Sequence, residues 1–240
     1  MEIGGTVAVV TGAAAGAGRA IALRLGAEGA FVVVADIDPG GGGATVDAIA
    51  AAGGRAAFVR ADMTDGDGVR AMVAAAAARG PLRILVNNAG GGGHVPPHFP
   101  DASPAQWGAT LDLNLRGPML ATQLALEPMR AAGGGAVVNV ASTAGLGAAP
   151  YVSPEYGAAK AGLIRFTTTL GGLDGVRVNC VVPDWIATER VTAAEIAAAE
   201  RPPIPLAHVA DAVLALIRDD TLAGRVLVLL PGEPPRLLEP

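Results

Sequence analysis

Val7-Ala8-Val9-Val10-Thr11-Gly12-Ala13-Ala14-Ala15-Gly16-Ala17-Gly18-Arg19-Ala20-Ile21-Ala22-Leu23 passes from an apolar run, through a glycine turn, into a segment of helical pattern. Strand, glycine turn and helix in that order read as a phosphate cradle. Glycines let the chain turn tightly and bring backbone N–H groups at a helix N-terminus close to a pyrophosphate. Three residues separate Gly12 from Gly16, so the turn is not the G-x-G-x-x-G fingerprint. A flexible Gly/Ala turn would share this composition; the strand before it and the helix after it favour the cradle. Such a cradle belongs at the carboxyl end of a strand in an open α/β sheet.

The rest of the chain continues the alternation. Apolar runs at Val7–Val10, Phe31–Ala35, Ala56–Val59, Ile84–Val86, Ala136–Ala141, Val176–Val182 and Arg225–Leu230 read as seven strands. Their near-continuous hydrophobicity suits a parallel sheet covered on both faces. Between them lie helical stretches at Gly18–Glu28, Ala44–Ala52, Asp67–Arg79, Pro104–Ala131, Pro154–Leu170 and Val209–Arg218. Ser103-Pro104 and Ser153-Pro154 read as helix starts, with Ser as cap and Pro in the first turn. Gly40–Gly43 and Gly90–Gly93 read as loops too short to separate domains. The expectation is one doubly wound α/β domain over residues 1–240, its seven-stranded parallel sheet flanked by helices on both faces.

Composition narrows the function. The net charge is −5 and no basic cluster could track a phosphate backbone, which argues against nucleic acid as a partner. The first residues, Met1-Glu2-Ile3-Gly4-Gly5, lack the basic start and apolar core of a signal peptide, and no apolar stretch approaches a membrane span. A cytoplasmic protein is expected. The single cysteine, Cys180, lies in an apolar run and reads as a core residue.

Two further stretches carry chemistry. Tyr156-Gly157-Ala158-Ala159-Lys160 spaces a phenol and an amine four residues apart. On a helix both share one face, about 5–6 Å apart at Cβ. A neighbouring ammonium favours the phenolate and lowers a tyrosine pKa that is ordinarily near 10. The pair could equally be a solvated helix face. Val137-Val138-Asn139-Val140-Ala141-Ser142 ends an apolar run in a hydroxyl, at the carboxyl end of a strand where active groups of open α/β sheets lie.

Taken together, the Thr11-Gly12-x3-Gly16-x-Gly18 turn, Asn87-Asn88-Ala89-Gly90, Asn114, Ser142 and the Tyr156/Lys160 pair resemble the short-chain dehydrogenase/reductase family, from Thr6 to about Leu230. The resemblance implies hydride transfer between a nicotinamide and a carbinol carbon. Tyr156 would be the general acid/base. Lys160 would tune it and hold the nicotinamide ribose, and Ser142 would bind the substrate oxygen. Asn114 would bind a water leading from Lys160 to solvent. The cofactor would lie against Gly12, Ala15, Gly16, Ala17 and Gly18, with Asp36 and Ile37 at the ribose and Asp62 and Met63 at the adenine. Asn88, Ala89 and Gly90 would close over it. Pro183, Ile186 and Thr188 would meet its nicotinamide end. Asp36, with no cation among Ala13, Ala14 and Ala15, repels a 2′-phosphate, so NAD is expected in preference to NADP.

The substrate is less legible. Segments 91–103, 143–153 and 184–206 would shape its site, with His94, Leu146, Tyr151 and Trp185 as contacts. His94 and His98 read as solvated loop histidines, and no metal site is expected. Four departures from the family stand out: fourteen residues from Ser142 to Tyr156, Asp184 where a glycine is usual, a helix ending at Gly171-Gly172, and a short segment from Thr188 to Pro205. Alternatives to alcohol oxidation are a biosynthetic ketone reductase and a catalytically idle dinucleotide sensor or scaffold. Apolar surplus on the helices at Pro104–Ala131 and Pro154–Leu170 points to a homodimer or homotetramer.

Overall fold

The computed structural model describes residues 1–147, 151–189, 192–199 and 201–239. Among these residues eight strands form one sheet: β1 (Val7–Thr11), β2 (Phe31–Asp36), β3 (Arg55–Arg60), β4 (Leu82–Asn87), β5 (Gly135–Val140), β6 (Val176–Pro183), β7 (Val226–Leu229) and β8 (Arg236–Leu237). Their spatial order is β3-β2-β1-β4-β5-β6-β7-β8. All pairs are parallel except β7 with β8. The order reverses between β1 and β4, and ligands of open α/β sheets bind at such a reversal.

The eighth strand corrects the expected seven. Arg236–Leu237 is two exposed residues with no apolar run, so it carries no pattern to read; it returns antiparallel on the sheet edge.

Helices α1 (Gly16–Ala27), α2 (Pro39–Ala51) and α8 (Leu206–Arg218) cover one face of the sheet; α3 (Gly66–Ala77), α4 (Pro104–Leu111), α5 (Gly117–Ala131) and α6 (Pro154–Thr169) lie on the other, and a short α7 spans Ala193–Ala198. Strand residues alternate between two large clusters, as side chains of period two must. Ala8, Val10 and Val32 face α1 and α8, while Val9, Val33 and Leu85 face α3 and α5. A third cluster joins α6 to β6 and β7 through Leu163, Cys180 and Val228.

Two expected loops and helices differ. Gly40–Gly43 is not a loop but the first turns of α2. Asp38 caps that helix by accepting from the Gly40 N–H at 2.9 Å, and Pro39 starts it. A Cβ on Gly42 would lie 2.2 Å from the Phe58 ring, so the glycine lets α2 press against β3. The stretch Pro104–Ala131 is not one regular helix, because a π-helical turn at Asp112–Arg116 divides it. Pro118 has no N–H for the Asn114 carbonyl four residues back, which favours the shift in hydrogen-bond register.

Helix starts also differ. Ser103 makes the full capping box with Gln106. Ser153 makes no capping bond.

Candidate active site

The cradle forms where β1 ends. The Thr11 hydroxyl accepts from the backbone N–H groups of Asn88 and Ala89, both at 3.0 Å. The Asn88 amide donates back to the carbonyls of Thr11 (2.9 Å) and Gly12 (3.2 Å). These bonds tie β1 to β4 at the point where strand order reverses, so the Asn88 side chain is committed to the strands. A Cβ on Gly18 would fall 2.0 Å from the Gly12 carbonyl oxygen, so no other residue fits this turn of α1. Gly16, Ala17 and Gly18 are buried and Ala15 is exposed at the mouth.

Around the cradle stand the expected acids. Asp36 closes β2; one carboxylate oxygen accepts from the Ala14 N–H at 2.9 Å and the other from the Asp38 N–H at 3.0 Å. Ile37 beside it is exposed. Asp62 accepts from the Thr64 backbone N–H and hydroxyl, which hold its carboxyl below the usual range. Met63 is buried. Pro183 ends β6, and the bridge Ile186–Ile204 carries the chain on to Thr188. The next residue, Glu189, was not singled out by the sequence. Its carboxylate accepts from the Gly16 N–H at 3.0 and 3.3 Å, at the amino end of α1.

The second group meets at the carboxyl ends of β4, β5 and β6. Ser142 follows β5 and caps a short 3₁₀ turn at Thr143–Gly145, accepting from the Ala144 N–H at 3.2 Å. Its hydroxyl is near enough to the Tyr156 phenol to lower that phenol's pKa. The Lys160 ammonium lies 5.6 Å from the Tyr156 ring centroid and donates to the Val140 carbonyl at 2.9 Å. The side chain of Asn114, in the π turn, donates to the carbonyls of Gly91 and Thr110 and accepts from the Gly91 N–H. Gly90 stands between Asn114 and Lys160: a Cβ there would lie 2.8 Å from Asn114 Oδ1 and 3.1 Å from Lys160 Nζ.

The electrostatics depart from expectation. Burial pushes the Tyr156 phenol up to about 12, against a smaller lowering by the Ser142 hydrogen bond. Burial pulls Lys160 down to about 8. The lowering of Tyr156 expected from a neighbouring ammonium does not occur: Lys160 is not among the groups that shift the phenol, and desolvation acts on both groups against their charged forms.

The flanking loops bring two pairs together. Tyr151 stacks on Tyr156 with ring centroids 6.0 Å apart, and its hydroxyl is 3.4 Å from His94 Nε2. Thr143 donates to Asp184 at 2.8 Å. Leu146 packs into the third core cluster. Trp185 lines a cavity of about 360 Å³ with Asp184, Ala199, Arg201, Leu230 and Pro231. A larger cavity of about 440 Å³ lies at the opposite, amino-terminal ends of the strands, beside Arg83, Gly134 and Arg177, away from these groups. Parts of two expected substrate segments, residues 148–150, 190–191 and 200, lie outside the described residues.

His98 is not a solvated loop residue. Its side chain is 12% exposed, and its Nδ1 lies 2.9 Å from the Glu155 carboxylate, itself 6% exposed. Burial would raise the Glu155 pKa; hydrogen bonds from its own N–H, His98 and the Phe99 N–H outweigh that and hold it at about 2. Glu155 thus pins the loop after β4 to the first turn of α6, beside Tyr156. Its adjacency to Tyr156 was the only signal the sequence offered. Asn139 and Thr167 were equally silent: the Asn87 amide donates to Asn139 at 2.8 Å, and the Asn139 amide donates to Thr167 on α6 at 2.9 Å.

A parallel sheet with a glycine cradle at its strand reversal and a Ser, Tyr and Lys cluster beside it defines a dinucleotide-binding α/β oxidoreductase. A family model described as short chain dehydrogenase matches residues 6–198. The chain belongs to that family of oxidoreductases, whose members bind a nicotinamide dinucleotide, and the relatives it resembles are named as dehydrogenases of alcohol groups. It is 42% identical to a cis-4-hydroxycyclohexanecarboxylate dehydrogenase of Sinomonas cyclohexanicum over 191 residues, 77% of this chain and 75% of that protein. It is 38% identical to a cyclohexanol dehydrogenase of Acinetobacter sp., over 76% of this chain and 72% of the relative. The crystal structure of a short-chain type dehydrogenase/reductase from Mycobacterium marinum matches with a TM-score of 0.87 and 28% identity, covering 95% of each chain. Among the described residues no helix is long and apolar enough to cross a membrane.

Proposed function

We propose that the protein transfers hydride between NAD(H) and a secondary alcohol or its ketone, with Tyr156 giving and taking the proton. The observation that carries this reading is the junction of Tyr156, Ser142 and a buried Lys160 at the strand ends next to the cradle. A bound nicotinamide ring supplies the hydride acceptor or donor. Tyr156 takes the hydroxyl proton as the carbinol is oxidised and returns it as the ketone is reduced. Ser142 hydrogen-bonds the substrate oxygen and steadies developing alkoxide charge. Lys160, 5.6 Å from the Tyr156 ring centroid, would hold the nicotinamide ribose. Asn114 holds the Gly91 loop against the π turn and would bind the water that leads from Lys160 to solvent.

The chain's residues fit the dinucleotide. The Gly12–Gly18 turn, with a backbone approach that a Cβ at Gly18 would block, would hold the pyrophosphate. Asp36 and Ile37 would hold the adenosine ribose, and Asp62 and Met63 the adenine. Asn88, Ala89 and Gly90 would cover the middle, and Pro183, Ile186 and Thr188 the nicotinamide end. Asp36, fixed by the Ala14 N–H, would repel a 2′-phosphate on the adenosine ribose, which supports NAD over NADP. The relatives named for ring alcohols support a secondary carbinol on an apolar body, framed here by His94, Leu146, Tyr151 and Trp185. Reduction of a ketone is the second reading, favoured by a phenol that is protonated at neutral pH. Cytoplasmic work as a homodimer or homotetramer, in one domain, completes the proposal.

Initial rates with NAD and NADP over a panel of secondary alcohols test it. NAD should be strongly preferred, and Asp36→Ala should narrow the gap by about 1–3 kcal/mol. Tighter binding of NADP than NAD by the unmodified protein would overturn the cofactor assignment.

A further inference from the structure

We infer that Asp184 makes this a site for alcohols bearing a second hydrogen-bond donor near the reacting carbinol, and one that turns away carboxylates. The inference rests on the hydride-transfer reading above and names its substrate class. Asp184 follows Pro183 at the end of β6, and its backbone N–H donates to the Leu229 carbonyl at 3.0 Å, which fixes the turn. One carboxylate oxygen accepts from Thr143 at 2.8 Å. Thr143 directly follows Ser142, whose hydroxyl lies near the Tyr156 phenol and lowers its pKa. On the other side, Tyr151 stacks on Tyr156. Burial and, after it, the Asp184 charge raise the Tyr151 phenol above its ordinary range. One carboxylate is thus bonded beside Ser142 and acts electrostatically on the ring stacked against Tyr156.

That carboxylate has capacity to spare. A carboxylate offers about four acceptor sites, and Thr143 is the one side-chain donor to Asp184 among the described residues. No cation pairs with it among those residues. Arg201 lines the cavity beside Trp185 with Asp184 but is paired with Glu233 at 2.9 Å. An O–H or N–H on the substrate, placed near the carbinol, can bond to the remaining lone pairs. A substrate carboxylate in that position would meet the like charge of an exposed Asp184 and lose the bond a donor makes there.

A matched set of four-carbon probes separates these cases: 2-butanol, 2,3-butanediol and 3-hydroxybutyrate share one carbinol and differ in the neighbouring group. Each is assayed at saturating NAD and at one fixed pH. In the unmodified protein kcat/KM for the diol should exceed that for 2-butanol by about tenfold, and 3-hydroxybutyrate should fall below both. In Asp184→Asn and Asp184→Gly the diol's advantage should shrink several-fold, and 3-hydroxybutyrate should gain about tenfold relative to 2-butanol. The same ratios in the unmodified protein and both variants would overturn the inference, as would a native preference for 3-hydroxybutyrate. Turnover of none of the probes would count against hydride transfer on such alcohols. In that case their binding to the NADH-loaded protein, followed by tryptophan fluorescence, still decides the role of Asp184: an order of affinity that Asp184→Asn leaves unchanged refutes it.

Discussion

At Lys160 an ammonium group lies 3% exposed, with the Val140 carbonyl as its described acceptor. Burial lowers its pKa from 10.5 to about 8. Between those values the folded chain binds fewer protons here than the unfolded chain, so this group's contribution to stability rises with pH across that window. At neutral pH the buried charge is a cost, up to about 3 kcal/mol from the size of the shift. Lys160→Met keeps the volume and removes the charge. It should abolish most turnover and yet melt no lower than the unmodified protein at neutral pH, by calorimetry. Any gain should fade toward about pH 10. A clearly lower melting temperature would mean that the ammonium stabilises the fold instead. Tyr156 runs the other way: raised from 10.0 to about 12, it remains protonated in the folded chain well above neutral pH.

Among elements, the amino end of α1 shows a competition. The Gly16 N–H that would meet a pyrophosphate already donates to the Glu189 carboxylate from the segment after β6. Negative charge at a helix N-terminus is stabilising by about 1 kcal/mol at most sites, and a pyrophosphate binding there must displace it. Glu189→Gln should therefore tighten NADH binding about fivefold in a fluorescence titration; equal or weaker affinity would mean that Glu189 assists the cofactor. This contact was not legible in the sequence, because Gly16 and Glu189 are 173 residues apart and only the fold joins them. The same holds for Glu155 with His98, and for Asn139 with Thr167, which fasten α6 to the loop after β4 and to the sheet. What could be read was local: strand, glycine turn and helix at Val7–Leu23, and Tyr156 with Lys160 on one helix face. The Gly40–Gly43 turn of α2 reads as a loop because glycine is a poor helix former, and the close approach to Phe58 that explains it is a tertiary fact.

For the whole molecule, seven strands of the sheet were legible because buried parallel strands are continuous apolar runs; β8 was missed because an exposed edge strand need not be. The expected apolar surplus of α5 and α6 is smaller than their sequences suggest. Leu120, Leu124 and Leu126 are half-buried against the core, Leu163 is fully buried, and Met119 is the large apolar side chain of these two helices left exposed, at 40%. Assembly through this face would rest on close helix contact around Met119 and the small residues of α6. Light scattering at micromolar concentration should give a mass above one chain, reduced by Met119→Glu; a clean monomer with full activity would remove assembly from any role at the site. The central claim, proton transfer by Tyr156 coupled to hydride transfer, is tested most directly by Tyr156→Phe. Turnover of a secondary alcohol with NAD, followed by absorbance of the reduced nicotinamide, should fall at least ~10²-fold while NADH affinity stays within a factor of about two. Near-native turnover in Tyr156→Phe would contradict it.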